Sequence, residues 1–510
     1  MFVRYSATLT ALALSLTLPC GIASALDVTS VGPRATGMGG AGVACADDYV
    51  AQYYNPGMLG FFEDGDAAGA RYASDNNDLQ RKDWGMGVDA TGGGRSIGNL
   101  STYINDVLKI DVHKLETLGQ SGNTDISALE NTVTALQALS QFSPDSDGIL
   151  IDFNGGGGLR IMNVVLGARV YANAVGKVQH LDLTNLGIAL PSGATVADAI
   201  SDINYSVPGG YTPSHLTSAQ QSQITTMLGG PSATVTDAIN KLDIAIGKAG
   251  VPSSQVQSVV DTLQNVVDSS GSSGSSQLFS KNTTTIRLLG LSVAEIPISY
   301  GHSIGEHFSI GGSLKYMLGR VYGQDVKILD TSSDDFGTTL SNTRDHYKQT
   351  QTFGIDLGVA ARLPYLQVGL TGRNLNAPTF KGPTVKGVKF PDYKLDPQAT
   401  AGAAFIPFTT LTFAGDIDLT KSDTALQGYQ TQYAGAGVEW DAFRVVALRA
   451  GIRKDINNQD SKLLYTGGVG VNLYVLRLDV AGQMTTDKVT YDGKDYPSEG
   501  RVSFALATDW

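Results

Sequence analysis

The sequence predicts an all-β fold, a transmembrane antiparallel β-barrel of about 14 strands that carries helical insertions. Three observations predict it: an export signal at the N-terminus, apolar residues that alternate along short segments, and connections that alternate in length. Glycine supplies 61 of the 510 residues, well above the average of about 7%. After the export signal no run of apolar residues is long enough for a transmembrane helix, so strands would have to cross the membrane.

Residues 1–25 have the three parts of a secretory signal peptide. Arg4 supplies the positive charge, Leu9 to Leu18 form the apolar core, and Ala23 to Ala25 have the small residues of a cleavage site. Cleavage there leaves Cys45 as the remaining cysteine, and a single cysteine forms no intramolecular disulfide and no metal cluster. We therefore expect an exported chain without metal or cofactor.

The charge of the chain excludes one class of partner. The formal net charge is −12 and the isoelectric point is about 4.9. Nucleic-acid binding depends on a basic face that neutralises phosphates. We expect no nucleic-acid partner.

Apolar residues in the C-terminal half recur at every second position. In "LTFAGDIDL", Phe413 and Ile417 lie on one face, whereas Asp416 and Asp418 lie on the other. The segments "QTFGIDLGVAAR" and "YVLRLDVAGQ" follow the same pattern. This alternation suits a soluble sandwich or a membrane barrel with lipid outside and a polar lumen.

The lengths of the connections favour the barrel. Short turns at 474, 441–443, 407–409, 363–365 and 301–307 alternate with long connections at 485–500, 453–462, 420–430, 375–397 and 329–346. Outer-membrane barrels have short periplasmic turns and long extracellular loops, and their strand number is even. We expect both termini in the periplasm of a Gram-negative cell.

The remaining strands are predicted near 284–300, 164–179 and 148–159, with one kinked strand, or two strands, between 66 and 90. The chain ends with "RVSFALATDW", in which Phe504, Leu506 and Trp510 share a face. An aromatic terminus of this kind resembles the assembly signal of outer-membrane proteins. It implies the barrel-assembly machinery and outer-membrane lipids as partners.

Two segments, at about 97–142 and 184–268, have helical periodicity instead. Thr217 with Gln220 and Ser254 with Gln257 have the spacing of capping boxes. A Ser- and Gly-rich stretch at 269–276 predicts a flexible linker back to the barrel. Because these segments follow the first and third strands, we expect both on the extracellular side.

Two short motifs match enzyme signatures but lack their context. "GMGGAG" at 37–42 has the spacing of a dinucleotide-binding loop, yet Gly32 and Pro33 leave no room for the strand that must precede it. "GHSIG" at 301–305, near His302 and His307, matches a nucleophile elbow and raises a lipolytic enzyme as an alternative. An amphipathic strand follows it where a helix is required, so we predict a hairpin turn, no catalytic residues and no enzymatic activity.

Charged residues on the polar faces of the strands would point into the lumen. They could form a salt-bridged network that fills the barrel, which we favour, or a polar track for a solute. These residues are Asp356, Arg362, Arg373, Asp416, Asp418, Glu439, Arg449, Arg453, Arg477 and Asp479.

The segment "RATGMGGAGVACADDYVAQYYNPGML" (Arg34 to Leu59) resembles the N-terminal segment of the FadL-type outer-membrane family. That family carries hydrophobic compounds, and its N-terminal segment folds into a small helical plug inside the barrel. The resemblance implies a plug at 26–62 and a barrel at 63–510, and Gly57 stands where the family pattern has Ala. The plug or gating candidates it implies are Gly37, Gly39, Gly40, Gly42, Asp47, Asp48, Asn55 and Pro56.

"LTGRNLNAPTF", "FAGDIDLTKSD" and "GAGVEWDAFRVVALRAGIRKD" are similar to a FadL-related branch called conjugal transfer TraF-like proteins. The thioredoxin-like protein also called TraF is different, since this chain has no C-x-x-C. The resemblance covers the plug and most strands but not the helical insertions. It implies passive transport of a hydrophobic ligand of fatty-acid or aromatic type, or a structural role with conjugation or secretion components.

Overall fold

A closed barrel of 14 antiparallel strands forms the body of the molecule, which confirms the predicted fold class and strand number. The computed structural model describes residues 30–62, 84–98, 126–140, 148–180, 182, 195–270, 283–327, 346–426, 429–443, 445–459, 461–473, 475–491 and 494–509. Each barrel strand pairs with the next along the chain, and the last pairs with the first. We number the barrel strands β1 to β14.

The strands are longest in the first half of the barrel. Their bounds are β1 Trp84–Ile97, β2 Gly148–Ile161, β3 Val164–His180, β4 Thr285–Ile304, β5 Phe308–Lys327, β6 Tyr347–Arg362, β7 Leu366–Arg373, β8 Gln398–Phe408, β9 Leu411–Asp418, β10 Tyr433–Ala442, β11 Val446–Asp455, β12 Leu464–Leu473, β13 Leu476–Thr485 and β14 Glu499–Asp509.

The end predicted for the first strand, at residue 90, was wrong. β1 runs from Trp84 to Ile97 and includes the run Gly92 to Gly94, which reads as a loop. The run is a strand because β2 and β14 pair with it on both sides. Residues 63–83, where the alternative prediction placed a further strand, lie outside the described part of the chain.

Burial follows the predicted alternation. Phe413, Ile417 and Phe504 are exposed on the outside, whereas Asp479 and Gln483 are buried on the inside. A closed sheet with an apolar outer face satisfies its backbone groups internally and can lie in lipid. Leu506 also faces outward, and Trp510 lies outside the described residues.

Short turns join the strands at one end of the barrel, where they were predicted. Gly305, with φ of +64°, lies in the turn between β4 and β5. The "GHSIG" segment is therefore the end of one strand and a hairpin turn, as predicted, and strand β5 occupies the place where a nucleophile elbow needs a helix.

The helices between barrel strands pack into one layer at the other end. They are α3 Ile126–Ser140, α4 Val196–Ser201, α5 Ser218–Met227, α6 Ala233–Lys248 and α7 Val256–Ser270. Two shorter helices, α1 Pro33–Gly37 and α2 Ala51–Tyr54, precede β1. Leu129 and Leu136 of the first insertion share a core with Leu242 and Leu263 of the second. Val178 of β3 belongs to the same core, so the layer is seated on the barrel rim.

The ends of these helices correct the predicted insertion in detail. The Thr217–Gln220 capping box forms, and a second one forms at Thr195 with Asp198. α7 begins at Val256, two residues after Ser254, so the capping box predicted at Ser254 and Gln257 was wrong. The helix continues to Ser270, past the predicted end at 268. The Gln257 side-chain amide donates to Gln223 of α5 and to Asp261 of its own helix, α7.

Parts of the predicted insertions and the linker, at 99–125, 141–147, 183–194 and 271–282, lie outside the described residues. Within the described chain, helices are too short or too polar to cross a membrane.

A charge placed on the outer face tests the lipid contact. We expect Val480→Lys, in the middle of β13, to destabilise the folded barrel by about 2–4 kcal/mol, because the ammonium must be buried in hydrocarbon. Urea unfolding in lipid vesicles, followed by tryptophan fluorescence, measures the free energy of unfolding.

The matched control is Tyr496→Lys, in the hairpin of Lys488–Tyr491 with Lys494–Pro497 between β13 and β14, where the side chain is also about half exposed. A similar loss of stability in both variants would contradict a lipid-facing β13.

Candidate functional site

Residues 30–62, called the plug here, fill part of the lumen. They form α1 Pro33–Gly37, α2 Ala51–Tyr54 and a 3-10 helix at Pro56–Phe62. Proline at the first helical position pre-sets φ for α1. The plug packs its own apolar core against inward side chains of the wall, including Val165, Ala360 and Ala507.

The glycine run of the plug passes against the backbone of the wall. Gly39 has φ of +71°, and a Cβ there would overlap the carbonyl oxygens of Ala436 and Ile452. The Thr466 side chain of β12 joins the wall to the plug, since it accepts from the Gly39 amide at 3.0 Å and donates to the Gly37 carbonyl at 2.8 Å. Helix α1, not a strand, precedes the run, so "GMGGAG" acts here as a packing element.

Asn55 connects the two halves of the plug to β6. Its amide nitrogen donates to the carbonyls of Val43 at 3.1 Å and Val359 at 3.0 Å. Its oxygen accepts from the Gly57 amide at 2.9 Å, and the side chain is fully buried. A Cβ at Gly57 would overlap the Gly358 carbonyl of β6, which explains why glycine stands there. Pro56 begins the 3-10 helix directly after this contact.

A chain of alternating charges links the plug to β10, β11 and β13. It begins at Arg34, which contacts Glu439 at 2.6 Å, and ends at Asp48, which contacts Arg477 at 2.7 Å. Arg449 and Asp479 complete the chain between them. Because both ends belong to the plug, the chain fastens two points of the plug to one side of the wall.

Further contacts hold the plug near its middle and its exposed edge. Asp416 of β9 accepts from the amides of Gly42 at 2.7 Å and Val43 at 2.9 Å. Gly40, with φ of +91°, lies against the Arg453 side chain. Asp47 pairs with Arg34 at 2.6 Å, where about half of its side chain is exposed.

The other predicted lumen charges also face inward. Arg362 stacks on Phe61, Arg373 on Tyr53 and Arg453 on Tyr433, with guanidinium-to-ring distances of 4.2, 4.6 and 3.9 Å. Asp356 contacts the Lys315 ammonium at 2.9 Å, and Asp418 accepts from the Tyr433 amide at 2.9 Å. These contacts have the geometry of a network; the choice between network and solute track stays a prediction.

Sequence reasoning missed the charges on the first strands. Arg169 of β3 is paired with Asp89 of β1, which also accepts from the plug hydroxyl of Tyr49 at 2.8 Å. Arg501 of β14 is paired with Asp152 of β2 at 2.7 Å. The same period-two pattern would have found them, but β1 and β2 each contain five glycines, which interrupt that pattern.

The lumen beyond the plug is apolar on one side. Inward residues of β1 to β5 and of two connections form one core, which we call the lumen cluster, and Tyr53 of the plug packs against it. Its members are Ile97, Leu150, Tyr171, Val175, Leu289, Leu291, Val293, Met317, Val321, Phe380, Val385, Phe390, Tyr393, Leu395, Ala425 and Leu426.

The barrel wall is interrupted beside the plug. The β3–β4 ladder pairs Leu166 with Ile298 and next pairs Arg169 with Glu295. The residues between these pairs are left out of the ladder, although the register of the two strands does not change. They are Gly167 and Ala168 on β3 and Ile296 and Pro297 on β4. Proline has no backbone N–H to donate.

Gln52 of α2 lies against this interruption. A Cβ at Gly167 or at Gly158 would overlap the Gln52 side-chain amide. The Gln52 side-chain oxygen is buried without a hydrogen-bond partner in the described structure. A buried oxygen that lacks a partner costs free energy, so this position of the Gln52 side chain is less favourable than one in which the oxygen accepts a hydrogen bond.

The spaces around the plug are small. Two cavities beside it have volumes of about 70 and about 30 Å³. Arg373, Asp416 and Arg453 line the larger one, and Cys45 and Asp48 line the smaller one. Each space holds a few water molecules at most.

A family model described as "F plasmid transfer operon, TraF, protein" matches residues 214–418. The match confirms the resemblance to the TraF-like branch. The matched range includes α5 to α7 and β4 to β9. The expectation that the resemblance leaves out the helical insertions was therefore wrong for residues 214–268 of the second one. Among curated proteins, nothing matches the chain.

Solved structures similar to the chain include the toluene transporter TbuX of Ralstonia pickettii, with 13% identity over 95% of this chain and 99% of that one and a TM-score of 0.43. The toluene transporter TodX of P. putida has 10% identity over 95% and 99% of the two chains, with a TM-score of 0.44. A FadL homologue of Pseudomonas aeruginosa has 8% identity over 96% and 100%, with a TM-score of 0.43.

Cys45 reports whether the plug stays in place. Burial raises the pKa of its thiol to about 12, so at pH 8 almost none is present as the reactive thiolate. We expect N-ethylmaleimide to leave Cys45 of the folded protein unlabelled. Because truncating one member of a buried charge pair costs about 2–5 kcal/mol, Glu439→Gln should speed labelling about tenfold or more, as measured by mass spectrometry.

The control is Glu499→Gln, which removes a buried carboxylate paired with Arg501, away from the Arg34 chain. Equal acceleration in both variants would indicate general loosening of the barrel and would contradict the fastening of the plug through Glu439.

Proposed function

We propose that the chain is an outer-membrane channel for passive transport of hydrophobic small molecules of fatty-acid or aromatic type. The observation that carries the proposal is the lumen cluster, which extends along β3 and β4 as far as Tyr171 and Val293. One further inward pair, Arg169 and Glu295, separates it from the interruption beside Gln52. A lumen that serves hydrophilic solutes is polar and filled with water, whereas this one is apolar on the β3–β5 side.

The energetics of a hydrophobic solute favour a lateral exit. Such a solute gains about 25 cal/mol for each Å² of apolar surface that leaves water. The buried ion pairs around the plug offer no comparable surface. The outward side chains Ile296 and Ile298 at the interruption are exposed, so lipid lies directly outside it.

Three features would then have distinct roles. The lumen cluster receives the solute, Gln52 and the glycines opposite it form the gate, and the β3–β4 interruption is the exit. The charge chain from Arg34 to Asp48 would keep the plug in place while Gln52 moves.

A cross-link across the interruption tests the exit. Ala168 and Ile296 both face outward at opposite positions, so a disulfide between Ala168→Cys and Ile296→Cys would close the wall. In a Cys45→Ser background, we expect the oxidised protein to lose uptake of a fluorescent fatty acid into vesicles, and reduction to restore it.

Val170→Cys with Ala294→Cys is the matched control, because this pair lies within the continuous part of the same ladder. Its disulfide should leave uptake unchanged. Uptake that persists with the wall closed at Ala168 and Ile296 would refute the lateral exit.

Deletion of the plug tests the closed lumen. We expect removal of residues 34–59 to raise the single-channel conductance in planar bilayers, because the ion pairs and backbone contacts that seal the lumen are lost. An intact protein that already conducts like an open porin, with no change on deletion, would show that the plug does not close the channel.

A structural role in a conjugation or secretion apparatus is the second candidate. The family match favours it, since the description of that family names a plasmid transfer operon and the matched range includes helices α5 to α7 of the helical layer. Replacing residues 195–270 by a short linker would separate the two candidates. Reduced DNA transfer between cells with normal solute uptake supports the structural role, and the opposite pattern supports the channel.

A further inference from the structure

The connection between β7 and β8 folds into the barrel. We call residues 374–397 the inward loop. Its Phe380 and Phe390 are fully buried in the lumen cluster. The interior of a membrane barrel can be plugged by loops, and this connection fills part of the lumen in that way.

Each of the two rings lies on a glycine of β5. Gly319 and Gly323 face inward on the same strand, and a Cβ on either would overlap the ring of Phe380 or Phe390, respectively. Met317 and Val321, fully buried, alternate with them. The wall thus has two positions, over Gly319 and Gly323, whose shape fits one flat ring each; we call them the ring positions.

The ring position over Gly323 also has a favourable charge. The Arg287 guanidinium of β4 lies 5.0 Å from the centroid of the Phe390 ring. A cation near the face of an aromatic ring is attracted to its electron density. An aliphatic group of similar size would fill the space but lose this attraction.

The inward loop is bonded mainly to itself. Thr379–Phe380 pairs with Tyr393–Lys394, and the Leu395 amide donates to the Pro378 carbonyl at 2.9 Å. Asp392 accepts from the Gly382 amide at 2.9 Å and contacts Lys381, also at 2.9 Å. These bonds would persist if the loop moved as one body.

The first residues of the loop, 374–376, are hydrogen-bonded to β5 and β6, so a hinge would lie directly after them. Asn374 and Ala377, both with φ of +51°, adopt a left-handed conformation that residues with a Cβ rarely adopt. Farther along, the Lys381 amide donates to the Thr350 hydroxyl of β6 at 3.0 Å. The hydroxyl of Tyr393 is buried without a hydrogen-bond partner in the described structure, so the closed position leaves a polar group unsatisfied.

We propose that Phe380 and Phe390 occupy two binding sites for aromatic rings, and that an aromatic hydrocarbon takes the ring positions over Gly319 and Gly323 when the inward loop lifts. This inference rests on the proposed passage of hydrophobic solutes and narrows their class to flat aromatic molecules. The phenylalanine rings act as an internal substitute for the ligand, and they keep the lumen free of water while no ligand is bound.

Photolabelling locates the binding directly. The full chain in lipid vesicles is irradiated with phenyl azide, and the labelled peptides are identified by mass spectrometry. We expect label on β5, at Met317 or Val321. In a Cys45→Ser background, a disulfide between Thr350→Cys and Lys381→Cys would hold the loop closed and reduce this label at least several-fold, and reduction would restore it.

Substitution at the ring positions gives an independent test. Gly319→Ala with Gly323→Ala should lower the β5 label several-fold, because the added methyl groups occupy the floor of both positions. Gly92→Ala is the control, since a Cβ there meets its neighbours at ordinary distances. Label on β5 that neither the disulfide nor the alanines reduce, or label found elsewhere only, would overturn the proposal.

Naphthalene uptake into the same vesicles separates this proposal from the proposed function. Uptake without β5 label leaves the channel in place and overturns the ring positions. Label on β5 without uptake supports the ring positions and overturns the channel. Absence of both overturns both.

Discussion

The rest of the structure depends on one constraint: in lipid, each backbone N–H and C=O must find its partner within the protein. The pairing of β14 with β1 meets it by removing both edges of the sheet. Closure fixes which side chains face outward, because strand residues alternate between faces. It also leaves a wide lumen, which other parts of the chain must fill.

The lumen is filled in two different ways. On the side of β10 to β14, with β1 and β2, ion pairs such as Arg449 with Asp479 and Arg501 with Asp152 fill the space. On the side of β3 to β5, apolar side chains and the inward loop fill it. The plug contacts both sides, with Arg34 in the charge chain and Tyr53 against the lumen cluster.

The alternation of apolar residues was sufficient to predict the barrel, its strand number and most of its turns, because lipid selects one face of every strand. It did not find the end of β1 or the charges on β1 to β3, since glycines interrupt the pattern there. The sequence pattern did not predict the inward loop, for a different reason. Its lysines and prolines read as an exposed connection, and the burial of Phe380 and Phe390 depends on glycines about 60 residues away in the chain.

Because the two sides of the lumen are filled differently, the free energy needed to open the wall differs between them. This difference bears on the proposed exit of a solute. Opening the charged side would separate buried ion pairs, each of which leaves an uncompensated charge at a cost of about 3–5 kcal/mol. Opening the β3–β4 side at Pro297 breaks a ladder that already lacks pairing there. Gln52, whose side-chain oxygen lacks a partner in the described structure, lies at that point. The exit proposed at Gly167 and Pro297 therefore lies where the wall is least costly to open.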